Sequence, residues 1–129
     1  MIRSPEERPA AGRAAEEAVC RHLRERGWQV VARNVRGTGG EVDIVARKRD
    51  TIAFVEVRYR GRGDFGEPEE SIDRRKRLRV VSAARDYLAA VSPASWKQAR
   101  FDVAAVTDGP DGPVIRYYPG AFDARGNLL

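Results

Sequence analysis

Near the middle of the chain, Ile52-Ala53-Phe54-Val55 sets four apolar residues in a row, with no polar residue breaking the run. Successive side chains of a strand point to opposite faces, so this segment is apolar on both faces and must be covered on both sides. That requirement favours a layered α/β domain over a sheet with one wet face. At 129 residues the chain is one domain long and has room for the cover.

The flanking pattern supplies it. From Gly12 to Arg26, Ala15, Val19 and Leu23 recur every four residues, and Gly27 stands where a helix-ending glycine belongs. On that helix Glu16 flanks the apolar stripe and leans towards whatever the helix packs on, while Glu17 points to solvent. Trp28 to Val35 reads as a strand, Glu41 to Ala46 as a second, and Thr51 to Tyr59 as a third. Turns are expected at Arg36–Gly40 and Arg47–Asp50. A long helix is expected from Pro68 to Val91, then a strand from Phe101 to Val106, a turn over Asp108–Pro113 and a last strand to Tyr118. The order αβββαββ describes a mixed central sheet with a helix on each side. Residues 1–11 are expected as a flexible leader, 12–122 as the domain and 123–129 as a C-terminal tail.

The stretch that carries chemistry is Gly40-Glu41-Val42-Asp43-Ile44-Val45, followed by Phe54-Val55-Glu56-Val57-Arg58. Glu41 and Asp43 share one face of their strand, and Glu56 and Arg58 share one face of the next. An even number of residues in the turn between them puts Asp43 and Glu56 on the same face, whereas an odd loop without a bulge separates them. Two carboxylates converging in strands this apolar need a partner, because a buried unpaired charge is costly. One partner is a hard divalent cation completed by water and a substrate phosphate. The other is Arg58 itself, in a buried ion pair with no chemical role.

Composition bounds the rest. The formal net charge is +5 and arginine supplies most of the positive charge, the only lysines being Lys48, Lys76 and Lys97. That balance favours a polyanionic partner such as nucleic acid. Arg60 and Arg62, in a glycine-rich segment with Tyr59 and Phe65, and Arg74, Arg75, Lys76 and Arg77 on the long helix are the candidate nucleic-acid contacts. One cysteine, Cys20, and one histidine, His22, exclude a disulfide and a Cys/His zinc site, and both read as packing residues. Asp102 reads as structural. Gly37-Thr38-Gly39-Gly40 leads into a strand, so it is no dinucleotide fingerprint. Without a signal-like segment or a membrane-length apolar run, the expectation is a soluble cytoplasmic protein with no membrane partner.

Read together, Gly12 with Glu16, Arg33-Asn34, Gly39-Gly40-Glu41-Val42-Asp43, Phe54-Val55-Glu56-Val57-Arg58, Lys76, Tyr87-Leu88, Arg100-Phe101-Asp102-Val103 and Ala121-Phe122 resemble the YraN family. These are uncharacterised bacterial proteins of the PD-(D/E)XK superfamily, and the arrangement is also similar to archaeal Holliday junction resolvases. The resemblance covers residues 12–122. It implies a restriction-endonuclease-like domain and a Mg or Mn site held by Glu16, Asp43, Glu56 and the carbonyl of Val57. It also implies hydrolysis of phosphodiester bonds in DNA, branched DNA included. The chain departs from the pattern at Arg58, where the superfamily has lysine. Arginine stays charged and cannot serve as a base, but it can stabilise developing phosphorane charge, so Arg58 joins Asp43, Glu56 and Glu16 as a catalytic candidate. Lys76 is a potential replacement for the missing ammonium. Two other readings stay open: a non-catalytic nucleic-acid-binding module with a structural acidic cluster, and a protein-interaction domain with an acidic partner. Cutting both strands of a junction would favour a homodimer.

Overall fold

Helix α1, Ala10–Glu25, is the first element of the computed structural model, which describes residues 10–61 and 73–129. It is followed by β1 (Gln29–Arg36), β2 (Glu41–Lys48), β3 (Thr51–Arg60), α2 (Arg74–Ala90), a single 3-10 turn at Pro93–Ser95, β4 (Gln98–Gly109) and β5 (Gly112–Phe122). The expected order αβββαββ is therefore observed. Of the expected leader, only Ala10 and Ala11 are described, and they open α1.

The strands lie in the order β1-β2-β3-β4-β5, antiparallel except for the β3–β4 pair, which is parallel and joined through α2. The central strand is apolar on both faces, as its sequence requires. Ala53 and Val55 pack with Ala15, Val19 and Leu23 of α1, whereas Ile52 and Phe54 pack with Val80, Val81 and Ala84 of α2. The helices thus cover opposite faces. Helix α1 stops where Gly27 takes φ 88°, with Gly27 N–H on the Arg24 carbonyl at 3.1 Å and Trp28 N–H on the Leu23 carbonyl at 3.0 Å.

Three boundaries differ from expectation. The β2–β3 turn is two residues, Arg49-Asp50, because the ladder closes as far as Lys48↔Thr51 and Arg49 takes φ 55°. Four and two are both even, so the predicted facing of Asp43 and Glu56 is unaffected. Helix α2 begins at Arg74 and not at Pro68. Asp73 is extended (ψ 172°) and its carboxylate accepts the Lys76 N–H at 2.9 Å, a cap that sets the first turn. Residues 68–72 lie outside the described residues. Finally, β4 and β5 zip together down to Gly109↔Gly112, leaving Pro110-Asp111 as the turn, and β5 continues past Tyr118 to Phe122. Its Pro119 is tolerated because β5 is an edge strand.

The glycine turn before β2 has a packing reason. A Cβ on Gly40 would stand 2.2 Å from the Arg79 carbonyl oxygen, and one on Gly37 would stand 2.8 Å from Ala83 Cα. The turn lies directly on the backbone of α2. Thr38 N–H and its hydroxyl both donate to Asp86, at 2.8 and 3.1 Å, which fixes the turn there. Residues 123–129 fold back on the domain. The Asp123 carboxylate accepts from Arg125 and Asn127 N–H at 2.9 Å each, and Leu129 N–H donates to the Ala121 carbonyl at 3.1 Å. No helix among the described residues is long and apolar enough to cross a membrane.

Candidate functional site

The β2–β3 ladder runs from Lys48↔Thr51 to Ile44↔Val55 and ends there. Beyond it the Asp43 carboxylate accepts the Val57 N–H at 2.8 Å, so a side chain takes the place of a strand backbone. On the other side of β2, Asn34 takes φ 53° between the Arg33↔Ile44 and Val35↔Val42 pairs. The sheet is opened locally at Asp43, and a cavity of about 340 Å³ lies in the opening.

The cavity gathers residues from four elements. Asp43 and Glu56, each 6% exposed, stand with Glu16 of α1 at 4%, Lys76 of α2, and Arg58. Asp43 and Glu56 fall on one face of the sheet, next beyond the Ile44↔Val55 pair, and line the same cavity. Burial, then the neighbouring Asp43 carboxyl, holds Glu56 well above the usual carboxylate range, while Lys76 and more weakly Arg58 pull it down.

This ranking alters the picture drawn from sequence. Arg58 approaches Glu56 only to 4.0 Å, with its side chain 24% exposed, which is a loose contact rather than a buried pair. Lys76 exerts the stronger pull, because the Asp73 cap places it in the first turn of α2, over the mouth of the opening. Glu16 is buried as predicted and sits 3.8 Å from Arg33, which binds exposed Glu17 more tightly at 2.8 Å.

The basic surface is less uniform than its sequence. Arg74 and Arg75 are exposed and Arg60 is partly exposed. Arg77 does not share that surface. It is buried, and its guanidinium donates to the Gly126 carbonyl at 2.7 Å, because α2 turns this position onto the C-terminal segment. Arg62 lies outside the described residues. Sequence reasoning did not assign Glu41, Tyr59 and Arg79, which also line the cavity. Glu41 shares a strand face with Asp43, and Arg79 is one helical turn beyond Lys76, so period-two and period-three spacing were the available signals.

Asp102 is structural. It is fully buried and accepts from Arg100 at 3.0 Å, from the Tyr117 hydroxyl at 2.6 Å and from Gly120 N–H at 2.9 Å across the β4–β5 irregularity. Arg100 lies over the Trp28 ring at 4.8 Å, and His22 stacks on Tyr117 at 5.5 Å. Cys20 is buried and His22 half-buried, both in packing roles, and burial pushes the Cys20 thiol up.

Whether the notch suits a divalent cation is a question of donor chemistry. Among the described residues no three His, Cys, Asp or Glu side chains form a ready metal cluster. Magnesium does not need one, since it keeps several waters and is commonly held by one or two carboxylates plus a phosphate. Asp43 and Glu56, hard oxygen donors at the edge of a cavity with room for the ion, its waters and a phosphate, fit such an ion once Glu56 is ionised.

Fold and site together define a mixed α/β domain whose two central strands part around a buried acidic pair. Residues 15–106 match the Uncharacterised protein family UPF0102. A UPF0102 protein of Anaeromyxobacter dehalogenans (strain 2CP-C) is 44% identical over 120 residues, covering 92% of this chain and 88% of the relative. Another, of Myxococcus xanthus (strain DK1622), is 41% identical over 121 residues, covering 94% and 95%. A third, of Pseudomonas aeruginosa (strain LESB58), is 40% identical over 115 residues, covering 88% and 92%. The chain belongs to the UPF0102 (YraN) family.

Proposed function

We propose that this protein binds nucleic acid and hydrolyses its phosphodiester bonds with Mg or Mn held at the Asp43–Glu56 notch. The observation that carries the reading is the buried carboxyl pair in an open cavity, with Lys76 and Arg58 beside it. A structural acidic pair would be expected to bury itself against its cations. This pair instead opens on space that water and a phosphate can enter, with the nearest Arg58 nitrogen 4.0 Å from Glu56.

In this reading Glu56 ionises and, with Asp43, holds the cation, with Glu16 and the Val57 carbonyl as further oxygen donors. A divalent ion there supplies Lewis-acid polarisation of the phosphate and a more acidic bound water. Lys76 and Arg58 face the developing negative charge. Arg60, Arg74 and Arg75 hold the backbone on either side, and such contacts release counterions and make binding salt-dependent. DNA is the expected substrate, and a homodimer would serve for branched DNA.

The non-catalytic alternative has one observation in its favour. Asp43 already has a partner without a metal, the Val57 N–H at 2.8 Å. Incubation of the protein with duplex, branched and single-stranded DNA and with RNA, in Mg, Mn or chelator, tests the reading. Metal-dependent cleavage of one class, lost in Asp43→Asn, is expected. Salt-sensitive binding without cleavage in any divalent ion would leave a binding module.

A further inference from the structure

Gly12 occupies the first turn of α1, where glycine has no structural warrant. Its φ is not positive, and among the described residues a Cβ built on it meets nothing within 4 Å. Glycine costs a helix stability relative to alanine because it loses more backbone freedom on folding. Gly37 and Gly40 differ in kind, since at each a Cβ would meet the backbone of α2.

What sets Gly12 apart is its place. It lines the same cavity as Glu16, Asp43 and Glu56, and it precedes Glu16 by four residues, so both lie on one face of α1. A side chain at 12 would project into the cavity mouth one turn from Glu16. The first turn itself carries no acidic residue, which leaves a positive helix end at this edge of the cavity. Among the described residues, open space beside position 12 and a helix N-terminus without an acidic residue in its first turn coincide at the edge of one site.

We infer that Gly12 is a specificity-determining residue that keeps the mouth of the Asp43–Glu56 cavity open, so that the sugar–phosphate chain of a nucleic acid crosses α1 in contact with its first turn. The inference rests on the proposed function and adds the path of the substrate. Small anions and metal ions reach the notch whatever stands at 12. A polymer whose backbone must lie against the helix does not.

The test compares wild type with Gly12→Ala, Gly12→Leu and the control Ala14→Leu, an exposed position on the same helix that does not line the cavity. Three readouts are taken: thermal midpoint, Mn²⁺ binding by titration calorimetry, and affinity for fluorescent DNA in Ca²⁺, with cleavage in Mg²⁺. Gly12→Ala is expected to hold or raise the midpoint by roughly 2–4 °C. Gly12→Leu is expected to leave the midpoint and Mn²⁺ binding intact but to lose DNA affinity at least about tenfold. Its cleavage should fall by on the order of 100-fold, the cost of displacing a substrate by about 1 Å. The control should match wild type in everything. Unchanged DNA affinity in Gly12→Leu overturns the inference and leaves the proposed function standing. A midpoint that falls in both Gly12 variants overturns it too, by making the glycine structural. A wild-type protein that binds Mn²⁺ but no DNA overturns the proposed function, and the substrate path with it.

Discussion

Replacing Glu56 by glutamine tests the state of the buried pair, because the amide keeps the size of the side chain and can still donate to Asp43. In the unfolded chain Glu56 ionises near its ordinary value of 4.5, whereas burial and the Asp43 carboxyl raise it in the folded protein. A carboxyl whose folded pKa is raised contributes fully below the unfolded value. That contribution is lost as pH climbs from there through the folded value. Each pH unit in that window costs the wild type about 1.4 kcal/mol, and Glu56→Gln is spared the loss. For a domain of this size that is about 5 °C in melting temperature per pH unit. Melting curves in chelator from pH 4 to pH 9 should start close together for the two proteins and then diverge, with the variant the more stable at alkaline pH. Parallel curves, or a variant less stable at pH 8, would mean that Glu56 is ionised and held by Lys76 and Arg58, and its raised pKa would have to be abandoned.

Three further outcomes follow from the geometry. Gly40→Ala should destabilise by about 1–3 kcal/mol in denaturant titration, since a Cβ there meets the Arg79 carbonyl backbone and neither can give. Asp102→Ala strands the Tyr117 hydroxyl and Gly120 N–H and should cost roughly 3–5 kcal/mol by the same measurement, with metal binding unchanged in whatever remains folded. A double-mutant cycle on Arg58 and Glu56 should give a coupling of no more than about 1 kcal/mol, because the pair is loose and partly exposed. In the cleavage assay Arg58→Lys should keep much of the rate, and Lys76→Ala should lose more than Arg58→Ala. The reverse order would return the main cationic role to Arg58.

Much of this was legible because it depends on local period. The apolar run 52–55 required cover on both faces, and the α1 stripe and Gly27 marked the first helix closely. Asp43 and Glu56 were brought together by parity alone, which survived a turn half the expected length. Non-local contacts were hidden. Arg77 belongs to a basic run in sequence, yet it is buried by a carbonyl 49 residues away. The weight of Lys76 depends on the Asp73 cap, which fixes where α2 starts and which side chains overhang the notch. The extent of β5 was missed because an exposed edge strand containing Pro113 and Pro119 lacks the alternation of a buried one. Gly37, Gly39 and Gly40 marked a turn, but the helix they lie against is set by tertiary packing.

The central claim is that the Asp43–Glu56 notch is a divalent-metal site, and direct titration with Mn²⁺ tests it most plainly. The wild type at pH 8 should bind one Mn²⁺ and release protons as it does so, since the pair must ionise to hold the ion. At pH 5 binding should weaken, and in Asp43→Asn and Glu56→Gln it should be lost at either pH. Wild-type protein that takes up no Mn²⁺ at pH 8, or takes it up equally well in both variants, would contradict the account.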